Sequence, residues 1–330
     1  MTFVRSKKWL DGAARQGARG WRDLRDSLGR FARNPAALVS SIVLLLMIVV
    51  AILGPVVAPY SPVKVGTGPR LAPPSRLFLF GTDQFGRDVF SRVLYGTGLT
   101  LQASIIAVVV AAGIGIPLGL IAGLRPTSWI GRAIMAGSIL GFSLPTFWVG
   151  LVLIMFFSVH LGWLPPNGRG ETVALLGVPV SFLTLDGLRH LAMPAANLAI
   201  FKLSLLVRLT RAGTREALLQ DYVKFARAKG LPPRRVIGVH VLKNIMIPIV
   251  TVIGLELGSV IAFAVVTESI FAWPGSGKLL IDSINQLDRP VIVAYLLVTV
   301  TIFIAINFVV DVLYSALDPR VRLGAAASAH

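Results

Sequence analysis

"DYVKFARAKGLPPRRVIGVHVLKN", residues 221–244, is a basic stretch that lies between two long apolar runs. Together with the good helix formers before it, the pattern predicts a helix over 214–229 whose acidic residues precede its basic ones, the order that the helix dipole favours. Gly230, followed by Leu231 and two prolines, predicts the end of that helix, with the glycine in the left-handed conformation. A second helix is expected to begin at Pro233. Two short helices that meet at a Gly-Pro corner predict a projecting bend, here called the elbow (residues 221–244).

The first helix of the elbow is predicted to carry aromatic and basic side chains next to each other. Tyr222, Phe225, Ala226 and Lys229 follow the i, i+3, i+4, i+7 spacing of one helix face. Such a face suits a helix that lies on a membrane surface with its rings among the headgroups. It equally suits a knob that fits a groove on a soluble partner. The spacing alone leaves both interpretations open.

The chain as a whole is too apolar for an ordinary soluble domain, since 55% of its residues are hydrophobic and 14% are charged. A helix that crosses a membrane needs about 20 mostly apolar residues. Six such runs occur, and all are continuous rather than alternating: residues 38–58, 97–124, 133–159, 191–210, 246–271 and 291–314. The sequence therefore predicts an all-α polytopic membrane protein with six transmembrane helices.

The distribution of basic residues predicts the orientation. In an alternating topology, twenty-two Lys and Arg residues fall on the side of the termini and of residues 208–246, and nine fall on the other side. The positive-inside rule then places both termini and the elbow in the cytoplasm. Topology and anionic lipid headgroups account for the net charge of +17, so nucleic acid is not expected as a partner.

This orientation divides the chain into segments of different character. The long apolar run after the basic start indicates a retained anchor rather than a cleaved signal peptide. The predicted segments are a basic amphipathic cytoplasmic lead (1–37), a first transmembrane helix (38–58), an extracytoplasmic segment with an amphipathic helix in 82–96 (59–96), a core of five helices (97–316) that includes a cytoplasmic loop (211–245), and a cytoplasmic tail (317–330).

Small residues recur at four-residue intervals in two of the predicted spans. Gly115, Gly119 and Gly123 form one stripe in the second span, and Gly254 and Gly258 form another in the fifth. Such stripes permit close approach of neighbouring membrane helices. For the first stripe, packing within the subunit is favoured over pairing between subunits.

The elbow resembles the cytoplasmic coupling loop of the membrane subunits of ATP-binding-cassette importers. Its string "DYVKFARAKGL" is similar to the "DYVRTARAKGL" of the peptide-importer branch, although only Ala226 and Gly230 match the general Glu-Ala-Ala-x-x-x-Gly form. Three further strings resemble the same branch: "FGTDQFGRDVFSRVLYG" (80–96), "IFAWPGSGKLL" (270–280) and "LDPRVRL" (317–323). Over residues 36–323 the chain is identified as a dipeptide/oligopeptide-importer permease of the second-subunit type, which has one extra span before the core.

The resemblance implies a type I importer fold in the bacterial cytoplasmic membrane and a complex of several proteins. The partners would be a homologous second permease, two cytoplasmic ATPases that bind ATP and Mg²⁺, and an extracytoplasmic binding protein that delivers peptides. The permease itself would bind no cofactor and would not be an enzyme. The residues expected to dock on an ATPase are Asp221, Tyr222, Phe225, Ala226, Lys229, Gly230 and Leu231.

The chain shows no motif for nucleotide or metal chemistry of its own. "WPGSGK" (273–278) is similar to a phosphate-binding loop, but Ala272 stands where the first glycine belongs and Leu279 where Ser or Thr is needed. The chain has no cysteine and four scattered histidines, so no metal site is predicted.

Two charged residues are predicted at mid-depth in the membrane, where a lone charge is costly. Lys202 and Glu256 either pair to hold helices together, or a face formed by Glu256, Ser259 and Thr267 lines the passage and meets a peptide. Glu268 is expected near the outer end, as a cap or gate.

Other functions remain as alternatives. Importers of the same type carry nickel chelates, glutathione or haem. A different class is an ion-coupled secondary transporter with a relay through Lys202 and Glu256, but it predicts inverted repeats that are not evident. A membrane enzyme is least favoured, because no nucleophile or metal motif appears.

Overall fold

The computed structural model describes residues 57–175 and 178–317, with the side chains of residues 247, 262 and 309–317 left aside. The chain separates into a unit of residues 46–307 and a second unit made of residues 1–45 and 308–330. The predicted cytoplasmic lead, nearly all of the first span and most of the tail therefore lie outside the described residues.

The described chain is helical apart from one small hairpin. Its elements in order are α1 (Val89–Leu124), α2 (Trp129–Ser143), α3 (Thr146–Leu153) with a π-helical continuation (Ile154–His160), β1 (Val173–Leu175), β2 (Val178–Val180), α4 (Leu185–Leu219), α5 (Asp221–Ala228), α6 (Pro233–Arg235) with a π-helical continuation (Val236–Leu242), α7 (Lys243–Ile270), α8 (Ser276–Asn285) and α9 (Arg289–Leu317). The antiparallel pair β1–β2 was not predicted by the sequence pattern.

The long helices α1 and α4 pack against each other through the first glycine stripe. A Cβ atom placed at each glycine would meet a side chain of α4: at Gly115 that of Leu206, at Gly119 that of Thr210, and at Gly123 that of Thr214. The contact advances by four residues on both helices at each step, so α1 and α4 run parallel. This stripe therefore packs within the subunit, the alternative that the sequence favoured.

A bent segment returns the chain between these two parallel helices. Helix α2 and helix α3 with its π-helical continuation meet at 106°. The break lies at Leu144 and Pro145, which both have extended backbone, because a residue before proline is disfavoured in the helical region. The predicted continuous span over 133–159 is therefore wrong.

Helix α7 runs antiparallel to α4 and closes the bundle. Ile245, near the start of α7, lies against Gly213 near the end of α4. Thr267, near the end of α7, is hydrogen-bonded to Asn197 near the start of α4, so the two helices run in opposite directions. Gly258 in the second predicted stripe contacts Phe303 of α9 at ordinary van der Waals distance. The second stripe thus faces a neighbouring helix of the same chain at this position.

Within the described residues, three helices are long and apolar enough to cross a membrane: α1, α4 and residues 289–308 of α9. Two bent pairs, over 129–160 and 233–261, raise the number to five if each pair is one span. The number of spans among the described residues is therefore three to five, and the first predicted span (38–58) lies almost entirely outside them.

The predicted amphipathic helix over 82–96 is wrong in its extent. Residues 82–88 form turns, and α1 begins at Val89 with Asp88 as its N-cap, the Asp88 carboxylate accepting a hydrogen bond from the Ser91 amide. A cap of this kind satisfies an amide that lacks a helical partner. The outer segment and the second predicted span therefore share one helix of 36 residues.

We expect Gly119→Ala to destabilise the chain, because its Cβ would lie 2.6 Å from both the Thr210 Cβ and the Val207 carbonyl oxygen. Overpacking of this kind costs about 1–3 kcal/mol. The matched control is Gly113→Ala on the same helix, where a Cβ meets nothing within 4 Å and where alanine favours the helix. Thermal unfolding of the purified full chain should show a lower midpoint for Gly119→Ala alone. Equal midpoints for the two variants would contradict the close packing.

Candidate functional site

The elbow begins with a break that the sequence pattern did not show. Gln220 is extended, with ψ 147°, so that α4 ends at Leu219 and α5 begins at Asp221. The predicted continuous helix over 214–229 is therefore wrong. The turn at Gln220 allows α5 to pack its apolar side back on the bundle, where Val223 is fully buried.

The corner of the elbow is a well-formed helix end. Gly230 has φ +70°, which confirms the predicted left-handed glycine. The Gly230 amide donates to the Arg227 carbonyl at 2.9 Å, and the Leu231 amide donates to the Ala226 carbonyl at 3.3 Å. These two bonds form a Schellman motif, which satisfies carbonyl groups that a helix end leaves free. The next helix begins at Pro233, as predicted.

Burial divides the predicted docking residues into two groups. Ala226, one of the predicted docking residues, is 3% exposed and packs with Val223 against the hydrophobic core. Leu231 is half-buried and packs against the same core. Tyr222 and Phe225 are 39% and 61% exposed and form the outer face of α5.

The charged residues of α5 lie around this aromatic face. The Lys229 ammonium lies 4.5 Å from the centre of the Phe225 ring, an arrangement that a cation–π attraction favours. The Lys224 ammonium donates to the Asp221 carboxylate at 2.9 Å, and both of these side chains are largely exposed. The elbow therefore presents an aromatic surface with a basic edge and is held from beneath by apolar packing.

A buried ionic group joins α4 and α7 in the middle of the bundle. The Lys202 ammonium donates to the Glu256 carboxylate and, at 2.7 Å, to the Ser259 hydroxyl. The Ser259 hydroxyl also donates to the Glu256 carbonyl at 2.9 Å. The Lys202 and Glu256 side chains are 11% and 21% exposed. We call this group the mid-bundle pair, and it matches the first of the two arrangements that the sequence left open.

Thr267 lies apart from the mid-bundle pair. It is 2% exposed and its hydroxyl accepts a hydrogen bond of 2.8 Å from the Asn197 side chain. The sequence analysis did not single out Asn197, although a polar residue in an apolar membrane helix indicates a polar contact with a neighbouring helix or a functional site. The contact ties a second level of α4 to α7.

Glu268 is enclosed by the turn of residues 273–278. The Thr100 hydroxyl donates to one carboxylate oxygen at 2.5 Å, and the Lys278 amide donates to the other at 3.0 Å. A Cβ atom at Gly275 or Gly277 would collide with this carboxylate. The side chain is 1% exposed and joins α7 to α1 and to the start of α8.

The stretch that resembles a phosphate-binding loop thus encloses a carboxyl group of its own chain. Two glycines permit the backbone to approach the Glu268 carboxylate, much as glycines permit the approach of a phosphate. Trp273 closes the turn, since it is 1% exposed and its indole N–H donates to the Leu99 carbonyl at 3.3 Å. The turn therefore anchors three helices at the end of the bundle that lies opposite the elbow.

Ionic contacts also organise the segment before α1. The fully buried Asp83 carboxylate accepts from the Arg87 Nε at 2.7 Å and from the Arg92 guanidinium at 2.5 Å. The Arg169 guanidinium donates to the Tyr95 hydroxyl at 3.0 Å, and burial lowers the pKa of Arg169 while Tyr95 opposes that shift. These contacts hold the segment and the hairpin on α1. Within the described residues, no group of three or more His, Cys, Asp or Glu residues is arranged for a metal ion.

We expect Glu268→Gln to lower the free energy of unfolding by about 1–3 kcal/mol, because it replaces one of the two oxygens that accept hydrogen bonds in this enclosed turn by an amide NH₂ group and leaves buried donors facing each other. The matched control is Ser269→Ala, the exposed neighbour on the same helix. Thermal unfolding of both full-length variants tests the anchor. A Glu268→Gln midpoint equal to that of Ser269→Ala would show that the carboxylate does not hold the turn.

Comparisons with known proteins place the chain in a family. Residues 115–323 match the family described as binding-protein-dependent transport system inner membrane component. Residues 22–74 match the N-terminal transmembrane domain of oligopeptide transport permease C, in agreement with the predicted second-subunit type.

Three bacterial relatives are similar over most of the chain. The di/tripeptide transport system permease DppB of Pseudomonas aeruginosa is 43% identical over 235 residues, which cover 68% of this chain and 70% of the relative. The dipeptide transport system permease DppB of Escherichia coli K12 is 38% identical over 238 residues, with 68% and 70% covered. The oligopeptide transport system permease AppB of Bacillus subtilis is 38% identical over 245 residues, with 74% and 76% covered.

A solved structure supports the fold. A chain of the MetNI methionine ABC transporter, solved in inward-facing conformations, superposes with a TM-score of 0.55 at 16% identity, covering 69% of this chain and 96% of that one. Its sequence is too distant to inform on the site. The family match and the relatives show that the chain belongs to the binding-protein-dependent transport system inner membrane component family, and that it is a multi-pass permease subunit of the inner membrane rather than an enzyme.

Proposed function

We propose that the chain forms half of the translocation path of an ATP-driven importer for dipeptides or oligopeptides. The partners in this proposal are a homologous second permease, two cytoplasmic ATPases that carry ATP and Mg²⁺, and an extracytoplasmic binding protein. The chain has six spans with both termini in the cytoplasm, and it binds no cofactor itself. The relatives named above as di/tripeptide, dipeptide and oligopeptide permeases support peptides over nickel chelates, glutathione or haem.

The observation that carries this proposal is the two-sided construction of α5. Its inner side is fixed by Val223 and Ala226, which are nearly inaccessible. Its outer side presents Tyr222 and Phe225 to solvent, and large aromatic side chains in that position are the usual anchors of protein interfaces. The ATPase is the proposed partner.

The packing of the elbow gives a route by which a docked ATPase moves the spans. Val223 and Ala226 of α5 belong to the same core cluster as Val236 and Val241, which lead into α7. The other end of α5 is joined directly to α4 through Gln220. Because packed interiors resist deformation, displacement of the elbow is expected to move α4 and α7 together.

The mid-bundle pair is the proposed polar element of the path. Lys202, Glu256 and Ser259 are partly accessible between α4 and α7, and they offer both charges that a zwitterionic peptide carries. Thr267 and Glu268 were grouped with them by sequence, but both are enclosed by other side chains. We therefore propose that the first three residues meet the substrate and that Thr267 and Glu268 hold the helices in place.

We predict that Phe225→Ala leaves the protein inserted but uncouples ATP hydrolysis from transport. Loss of an aromatic anchor costs about 2 kcal/mol, which corresponds to about a thirtyfold weaker docking of the ATPase. The measurement is peptide-stimulated ATP hydrolysis and uptake by the reconstituted complex, with Phe225→Tyr as the conservative variant and the exposed Trp163→Ala as a control remote from the elbow. Normal coupled uptake by Phe225→Ala would refute the docking role.

We predict that the double variant Lys202→Met/Glu256→Gln unfolds at the temperature of the wild type but takes up peptide more slowly. Each single variant should be less stable than the double variant, because it leaves one charge in the bundle without its partner. Thermal unfolding and initial uptake rates of the reconstituted complex separate the two roles. Wild-type uptake by a stable double variant would show that the pair serves only to hold the helices.

A further inference from the structure

One end of the bundle carries a group of arginines that the proposed transport mechanism does not use. Arg208, Arg211 and Arg215 lie on α4 at intervals of three and four residues, which places them on one face of the helix. This face is turned away from α1, whose glycines contact Thr210 and Thr214. The three guanidinium groups therefore form a stripe on the side of α4 that α2 approaches.

Helix α2 covers the upper part of this stripe. The Arg208 guanidinium lies 4.1 Å from the centre of the Phe142 ring, and that ring stacks on Phe201 of α4 at 4.5 Å. Gly141 near the end of α2 lies against Ser204, whereas Gly123, just before the short loop that leads into α2, lies against Thr214, so α2 runs antiparallel to α4.

The helix registers bring two further arginines to the same level. Because α2 and α4 run antiparallel, residues that precede Gly141 on α2 lie beside residues that follow Ser204 on α4. With a rise of ~1.5 Å per residue in both helices, Arg132 is at about the level of Arg211 and Arg215. Arg125 caps α1 just beyond Gly123, which contacts Thr214. Five arginines thus lie at about this level of the bundle, and we call them the arginine cluster (Arg125, Arg132, Arg208, Arg211 and Arg215). Arg208 and Arg211 are half-buried, whereas the other three are exposed, and Arg132 lies on the face of α2 opposite Gly141.

The cluster has no compensating acid within the described residues. None of its members forms an ion pair there, and the Nε atoms of Arg208 and Arg211 are buried without a hydrogen-bond partner. Glu216, the nearest acid along α4, lies about 100° around the helix from Arg215. Partly buried guanidinium groups without an acceptor are costly, so an anion bound at Arg208 and Arg211 would stabilise this part of the bundle.

The surface beside the cluster has the composition of a membrane boundary. Trp129 begins α2 with 73% exposure, and the same face of the helix continues through Arg132 to Ile139, which is 56% exposed. Tryptophan and arginine are typical of the headgroup level, and exposed aliphatic side chains are typical of the hydrocarbon region. This face of α2 is therefore polar near Trp129 and Arg132, where a lipid headgroup would lie, and apolar near Ile139, where acyl chains would lie.

We propose that the arginine cluster binds the phosphate of an anionic phospholipid. Arg208 and Arg211 hold the phosphate oxygens, Arg132 and Arg215 border the headgroup, and the acyl chains lie along the exposed face of α2. Guanidinium groups suit this role because their N–H donors match the oxygens of a phosphate in pairs. The site joins α2 to α4, and it stands independently of the transported substrate.

The test uses the purified full-length chain, stripped of lipid in detergent and titrated with dioleoyl phosphatidylglycerol or dioleoyl phosphatidylcholine. Bound lipid is counted by native mass spectrometry. We expect the wild type to retain one phosphatidylglycerol at least about tenfold more tightly than phosphatidylcholine, since only the former offers a net negative headgroup. Arg208→Gln/Arg211→Gln should lose this preference. The matched control Arg234→Gln/Arg235→Gln removes equal charge from the elbow and should keep it.

Several outcomes would overturn the proposal. These are equal retention of the two lipids by the wild type, unchanged preference in Arg208→Gln/Arg211→Gln, or loss of preference in the control. A further experiment adds inorganic phosphate without lipid, to test whether the site binds a free anion instead. If phosphate raises the unfolding temperature as much as phosphatidylglycerol does, the site is not specific for a lipid. Should the double variant fail to fold, Arg211→Lys keeps the charge but removes the paired donors, and unchanged preference there would also refute the site.

A last arm repeats the titration with the assembled transport complex. Retention of phosphatidylglycerol after assembly supports the lipid assignment. Its loss would show that an acidic side chain of a partner subunit occupies the cluster instead, and the lipid proposal would then be wrong.

Discussion

The close parallel packing of α1 on α4 is the constraint on which the rest of the molecule depends. In a membrane there is little hydrophobic force between helices, so their association relies on close contact between backbones. The stripe of Gly115, Gly119 and Gly123 supplies that contact and fixes the register along about two turns. The mid-bundle pair and the contact between Asn197 and Thr267 include residues of α4, and the elbow follows α4 directly, so the positions of these features depend on this packing.

The polar groups of the bundle show how the remaining helices are held. The mid-bundle pair and the contact between Asn197 and Thr267 both join α4 to α7, at two levels of the same antiparallel interface. Glu268 joins α7 to α1 through Thr100. In each case a donor and an acceptor from different helices satisfy each other in a region where water cannot, which orients the helices as well as attracting them. The arginine cluster is the exception within the described residues, because none of its members forms an ion pair there.

Local sequence rules predicted a large part of this structure. The corner at Gly230 and Pro233 follows from backbone preferences alone, and the five apolar runs of the core correspond to described helices or bent pairs. The break at Gln220 was missed because glutamine itself does not stop a helix; the burial of Val223 in the core stabilises the turn, and that is a tertiary effect. The enclosure of Glu268 was missed for the same reason, since its partners Thr100 and Lys278 are distant along the chain or in the next helix. Sequence spacing placed Glu256, Ser259 and Thr267 on one face, but it contained no information on which neighbours cover each of them.

The irregular backbone of the bundle is concentrated beside the moving parts of the proposed mechanism. One π-helical segment (154–160) follows the 106° bend between α2 and α3, and the other (236–242) connects the elbow to α7. A π-helical turn leaves imperfect backbone bonding, and in a membrane protein other groups must compensate for it. Near the second segment the Asn244 side chain donates to the His240 carbonyl at 2.7 Å, while Val236 and Val241 are buried. The elbow is thus rigid at its Schellman corner and less regular where it joins α7. In the proposed mechanism, a force applied to Phe225 reaches α4 through the turn at Gln220 and α7 through the π-helical segment. These are the two helices that hold the mid-bundle pair, so a displacement of the elbow is transmitted to both sides of that pair.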